Sequence, residues 1–274
     1  MGFNPQVEKS MKSTLADTLQ IVLPHLSPAL AVPEAIASLQ KTARLLAPIP
    51  RGGFECRLGS EPQVDLQQCI VAGNGEAALL REHLAGVINR DVPTDKAWAR
   101  LHEFITQWSE PSSDLHHEIS EIWLEFDADF PKGSSDLPLP SLFFGLQQEA
   151  TAIDKRLAVT ERALDLLLGR SYIPPSTSYP STSSGYGLSS QQNWRRCFEA
   201  CPEGVFISHI GVMISRPTEA LRVNVKRLHP ETLIPYLERV GWQGPTDELK
   251  RLMVELYDQV DRITGMVHFG KNFA

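Results

Sequence analysis

Hydrophobic and polar positions change period several times along this chain, and the order of the changes is written twice. From Gly53 the segment GFECRLGSEPQVDLQQCI alternates apolar and polar residues around a short polar turn, which predicts a hairpin over about 53–71. From Gly211 the segment GVMISRPTEALRVNVKRL has the same form, within a second hairpin over 205–227. A helix follows each hairpin. The first carries Leu80, Leu84, Val87 and Ile88 on one stripe; the second, from Pro230, carries Leu233, Leu237 and Val240. Both lead to one tripeptide, Pro93-Thr94-Asp95 and Pro245-Thr246-Asp247, where Thr94 or Asp95 suits a helix cap. Further helices come next, with Trp98, Leu101, Phe104, Ile105 and Trp108 on one apolar face and Leu249, Leu252, Met253, Leu256 and Val260 on the other. A strand ends each unit, EIWLEF from Glu121 and GMVHFG from Gly265. Recurrence of elements at an offset of roughly 150–160 residues is the mark of a duplicated architecture.

The rest of the chain fits around this repeat. Pro24, Pro28 and Pro33 divide the stretch 14–47 into short helices, the last from about Pro33 to Ala47. Gly73-Asn74-Gly75 reads as a turn. The polar loop through Lys132–Asp136 leads to a strand, SLFFGL, and a helix from about Gln147 to Leu168 holds Ile153, Leu157, Leu164 and Leu168 in register. The domain reading is a single domain over 1–274. Its first repeat is 1–170, a connector rich in Ser, Pro and Gly is 171–192, and the second repeat is 193–274. The connector reads either as a linker or as a lid, with Tyr172, Tyr179 and Tyr186 able to touch a ligand. The second repeat shows no counterpart of Ser141–Leu146, so its last strand is expected to pair with another chain, with the N-terminal segment, or to close the sheet.

Strand parity separates an apolar row from a mixed one. Phe54, Cys56 and Leu58 oppose Glu55 and Arg57; Ile122, Leu124 and Phe126 oppose Trp123, Glu125 and Asp127. Val223 and Val225 oppose Arg222, Asn224 and Lys226; Val267 and Phe269 oppose Met266, His268 and Gly270. The helices need the apolar row. The mixed row then either meets water, as one face of an antiparallel sheet often does, or lines the interior of a curled sheet. In the second case charges of both signs share a low-dielectric space that shifts proton affinities and strengthens electrostatic stabilisation.

These helix–helix–strand–strand units, with polar residues on the face away from the helices, resemble the layout of the ABBA aromatic prenyltransferases. The resemblance rests on element order. It implies an α+β fold with an antiparallel sheet, closed or partly closed as a barrel, and helices on one face. It also implies transfer of a prenyl or other group to an aromatic acceptor. Arg57, Arg222 and Lys226 would bind a diphosphate, Glu55 or Glu125 would stabilise a cation or take a proton, and Trp123, Asp127, Asn224 and His268 would complete the substrate-binding set. The expected partner is a small hydrophobic or aromatic molecule, with an isoprenoid diphosphate as donor. The rival reading is a non-catalytic binding or assembly protein that recruits a strand, or a second copy, through the C-terminal strand.

Composition narrows the field. A net charge of -7 argues against nucleic acid as partner, and no apolar run approaches the roughly 18 residues that cross a bilayer. The first residues lack a secretory apolar region, so the expected compartment is the cytoplasm, where Cys56, Cys69, Cys197 and Cys201 stay reduced. No cofactor is expected. Nor is a metal: Cys197, Cys201 and His209 lack a second ligand pair, His116-His117-Glu118 reads better as a helix end, and there is no aspartate-rich DDxxD motif. GxSxG, P-loop and GxGxxG motifs are absent too.

Overall fold

The computed structural model describes residues 13–27, 29–57, 63–91, 96–127, 137–147, 152–169, 190–216, 221–242, 244–257, 259 and 264–269. Residues 171–189 of the connector, the tripeptide Pro93-Thr94-Asp95 and the Lys132–Asp136 loop lie outside them, while residues 190–192 of the connector are helical. The chain forms two compact units, residues 1–144 and 145–274.

In the first unit α1 (Leu15–Val22) and a 3-10 turn (Leu23–His25) precede α2 (Pro33–Ala43). Thr14 caps α1 through its side chain, and Pro33 occupies the first turn of α2, where its missing N–H costs nothing. Strands β1 (Gly52–Arg57), β2 (Gln63–Val71) and β3 (Ile119–Phe126) run antiparallel in chain order, with β4 (Ser141–Leu146) next to β3. Between β2 and β3 lie α3 (Glu76–Asp91), α4 (Lys96–Ser109) and the short α5 (Asp114–Glu118). The turn before α3 is the expected one, with Asn74 and Gly75 at positive φ.

The helices lie on the apolar row. A Cβ added to Gly52, which pairs with Gln68, would strike both Leu15 of α1 and the Gln67 carbonyl, so the helix and that row share a side. On the same row Gln68 is buried, and its amide donates to the carbonyls of Ala47 (2.9 Å) and Ile49 (3.0 Å) ahead of β1. Val64, Leu66, Ile70, Ile122, Leu124 and Phe126 are all buried. α4 buries its whole expected stripe, Trp98 to Trp108; the Trp108 indole donates to the Ile119 carbonyl at 2.9 Å, and the Phe104 ring lies 6.3 Å from that of Phe144 on β4.

The second unit holds α6 (Ile153–Leu168), α7 (Ser190–Glu199), the antiparallel strands β5 (Phe206–Val212), β6 (Leu221–Lys226) and β7 (Thr264–Phe269), and α8 (Pro230–Val240) and α9 (Thr246–Tyr257). Leu233, Leu237 and Val240 of α8 are buried as their spacing predicts. Two helices depart from expectation. α6 buries Leu157, Val159, Thr160, Ala163, Leu164 and Leu167, while Ile153 at its first turn is exposed. α9 buries Met253 alone; Leu252 and Leu256 of its expected stripe are exposed. Arg156 of α6 donates to the Ile207 carbonyl of β5 and stacks over Phe198 of α7 at 5.6 Å. Burial lowers the proton affinity of its guanidinium.

Cys69 and Cys197 behave as core residues, and Cys56 and Cys201 are half-buried. Burial pushes the thiols of Cys69 and Cys197 up to about 12 and that of Cys201 to about 11. The Cys201 thiol donates to the Cys197 carbonyl at 3.2 Å, and the Tyr236 hydroxyl donates to the same carbonyl at 3.4 Å. All four cysteines are free.

Two outcomes follow from this packing. Phe104→Ala empties a closed site and lowers unfolding free energy by about 3–5 kcal/mol, whereas Leu256→Ala changes it by less than about 1 kcal/mol; urea titration at low protein concentration compares them. At pH 8 a thiol with an affinity near 12 is thiolate to the order of one part in 10⁴. Disulfide-exchange labelling of the native protein is therefore fast at the part-exposed Cys56 and at least about a hundredfold slower at the other three, and denaturant releases all four.

Candidate functional site

The row opposite the helices in the first unit is polar and densely paired. Register places Glu55 beside Asp65 and Gln67 beside Glu125. Because strand parity is two, Glu55, Asp65, Gln67, Glu125 and Asp127 project to one side. The Gln67 side-chain amide confirms it: its nitrogen donates to Glu55 Oε2 at 3.2 Å and to Glu125 Oε2 at 3.1 Å, linking carboxylates from β1 and β3 through β2. Hydrogen bonds to charged acceptors are the strong class, so the two acids are held in a fixed relation.

Asp65 and Glu125 are buried, Asp127 is half-buried, and oxygens of the three lie within 4.8 Å of one another. This is the cluster among the described residues whose atoms could take up a hard cation through oxygen ligands. The reading without metal did not anticipate it. Along the same face Trp123 donates its indole N–H to Glu121 Oε1 at 3.1 Å, and the Cys69 thiol lies 3.8 Å from Glu121 Oε2. Trp123 therefore presents a half-buried ring at a position fixed from β3 itself.

In the second unit β6 carries the mixed row. Arg222 is 6% exposed and pairs in register with Gly211 and with His268. Gly211 brings no side chain to the register position beside Arg222. Asn224 pairs with His209 and Met266, Lys226 with Phe206 and Thr264. The β5 register shifts between Ile207 and His209, a bulge that re-aims the strand next to this row. The side-chain oxygen of Asn224 is buried and has no hydrogen-bond partner among the described residues. A buried acceptor in that state loses its hydration without return, so the position favours a donor.

The sequence therefore located Glu55, Trp123, Glu125 and Asp127 on one face and Arg222, Asn224 and Lys226 on one strand. The side chains of Arg57 and His268 lie outside the described residues. The reading missed Asp65 and Gln67. Their signal was present in the parity of QVDLQQCIV, where Val64, Leu66 and Ile70 take the opposite row. His116 Nδ1 is 2.9 Å from the Trp108 carbonyl, and His117 is exposed. Cys197 and Cys201 are held by backbone contacts as described above.

The sequence matches no known family model and no characterised protein sequence. Two solved structures share the fold. A 6-dimethylallyltryptophan synthase from Micromonospora olivasterospora, in complex with DMASPP and Trp, aligns with a TM-score of 0.57 at 11% identity over 95% of this chain and 75% of its own. A structure of 6-dimethylallyl tryptophan synthase aligns with a TM-score of 0.52 at 11% identity over 88% of this chain and 72% of its own. Such identity speaks to architecture alone. The chain has an α+β fold with an antiparallel sheet and helices, of the ABBA type found in these prenyltransferases.

Proposed function

We propose that this protein transfers a prenyl group from an isoprenoid diphosphate to an aromatic acceptor. The observation that carries the reading is the carboxylate pair Glu55–Glu125, held by Gln67 on the face away from the helices in a fold shared with dimethylallyl tryptophan synthases. In the reaction the bond between the prenyl carbon and the diphosphate oxygen breaks, and its electron pair leaves with the diphosphate. The aromatic ring supplies the pair for the new carbon–carbon bond and then loses a proton. Glu125 takes that proton, and the negative charge of Glu55 and Asp65 stabilises the allylic cation. In the second unit taken by itself, Arg222 and Lys226 on β6 are the side chains whose guanidinium and ammonium donors suit diphosphate oxygens. Trp123 offers a ring face to the acceptor or the cation.

A binding protein without chemistry would take up the same ligands and return them unchanged. Incubation with dimethylallyl diphosphate and a panel of aromatic acids and phenols, followed by mass spectrometry, separates the two. The expected result is an acceptor carrying one dimethylallyl increment. Absence of both product and calorimetric binding overturns the reading.

Two substitutions sharpen it. Glu125→Gln keeps the shape and lowers kcat about 10²–10⁴-fold, the usual scale for loss of a proton acceptor. Arg222→Met raises the half-saturating diphosphate concentration about tenfold or more, with a smaller effect on acceptor binding. Steady-state kinetics with each substrate varied in turn distinguishes them. Full activity in Glu125→Gln removes that residue from the mechanism.

A further inference from the structure

We infer that Glu121 is the residue that positions Trp123, and that through this ring it decides which carbon of a stacked aromatic acceptor is prenylated. The inference deepens the prenyl-transfer reading and rests on it for the chemistry. The placement of the ring is measurable without turnover.

β3 carries Glu121, Trp123, Glu125 and Asp127 at alternate positions, on the face away from the helices. Trp123 therefore has an acid two residues to either side. Its indole N–H goes to Glu121 Oε1 at 3.1 Å, while Glu125 Oε2 accepts from Gln67 at 3.1 Å. The donor edge of the ring is thus turned along the strand toward Glu121 and not toward the proposed proton acceptor. Trp123 is half-buried, so part of the ring is open to a ligand.

Glu121 is itself held. Its Oε2 lies 3.8 Å from Sγ of Cys69, which stands opposite Trp123 in the β2–β3 register. Burial first, and then the charge of Glu121, push that thiol up to about 12, so at neutral pH it keeps its proton and donates. One carboxylate oxygen faces the indole on β3 and the other faces the thiol on β2, so the carboxylate cannot turn without losing a contact. Arg51, a cation whose field reaches the same thiol, is paired with Glu76. Glu76 in turn accepts from the amide of Val71, opposite Glu121 in register, at 3.0 Å.

A tryptophan on a strand face open to a ligand has several staggered rotamers to choose from. A hydrogen bond to a charged acceptor favours one of them by about tenfold or more. An aromatic acceptor stacked on a ring held in this way takes one preferred orientation against Glu125. Transfer then favours one ring carbon. A ring free to turn presents the same acceptor in several orientations, and the prenyl group is spread over several carbons.

Indole N–H spectra of the nitrogen-15-labelled protein, with the Trp123 signal assigned through Trp123→Phe, read the placement. Glu121→Ala moves that resonance and speeds exchange of the indole proton at least about tenfold; Glu121→Gln, which keeps an acceptor oxygen, restores both. Product isomers from dimethylallyl diphosphate and the phenols of the panel above read the consequence. One isomer dominates with the unmodified protein. Glu121→Ala lowers its excess at least about fivefold, and Glu121→Gln brings it back. In a Trp123→Phe background Glu121→Ala has no further effect on the ratio, because Glu121 acts through the ring. Circular dichroism confirms folding, and Glu121→Met serves if the alanine variant is unfolded. An unmoved Trp123 resonance in the folded variant overturns the inference, and so does an isomer change that persists in full in the Trp123→Phe background. Absence of transfer to every phenol overturns the isomer claim together with the prenyl reading, while the resonance still reports where Glu121 holds the ring.

Discussion

Everything in the first unit depends on how β2 divides its side chains. The strand has two faces, and the helices claim one of them with Val64, Leu66, Ile70 and the buried Gln68. What remains, Asp65, Gln67 and Cys69, lies on the opposite face. Gln67 resolves the consequence by donating one amide to two carboxylates from the strands on either side. Asp65, Glu125 and Asp127 hold their oxygens within 4.8 Å of one another on this face. Hydrogen bonds to ionised groups carry roughly 1.5–3 kcal/mol each, enough to set the position of Glu125 and not only to tolerate it.

The arrangement also gives each half of the repeat its own electrostatic character. The mixed row of the first unit is acidic, while β6 of the second offers Arg222, Asn224 and Lys226. Carboxylates suit a developing cation and a departing proton; guanidinium and ammonium groups suit phosphate oxygens. Duplication of a fold does not require duplication of chemistry, because the alternating row away from the helices is free to change while the apolar row is held by packing.

Much of the architecture was legible because period and punctuation agree. The stripe Trp98 to Trp108 and the alternation in β3 and β6 are dictated by burial, and the structure follows them. The site was legible only in part. Gln67 and Gln68 are identical neighbours that take opposite faces, one in the core bonded to Ala47 and Ile49, the other bridging acids. A polar residue inside the apolar row masks the alternation, so Asp65 and Gln67 went unread. The exposed Leu252 and Leu256 show the converse limit: periodicity reports an apolar face, and only the fold reports whether something covers it. No helix among the described residues is long and apolar enough to cross a membrane.

The central claim is that the Glu55–Gln67–Glu125 row receives the aromatic substrate. Nitrogen-15 NMR of the Gln67 side-chain amide tests it at the atom concerned. The account predicts a downfield amide resonance, set by its carboxylate acceptors, that moves in saturable fashion as an aromatic acceptor and an inert diphosphate analogue are added. A Gln67 resonance that stays fixed while the acceptor demonstrably binds would contradict it.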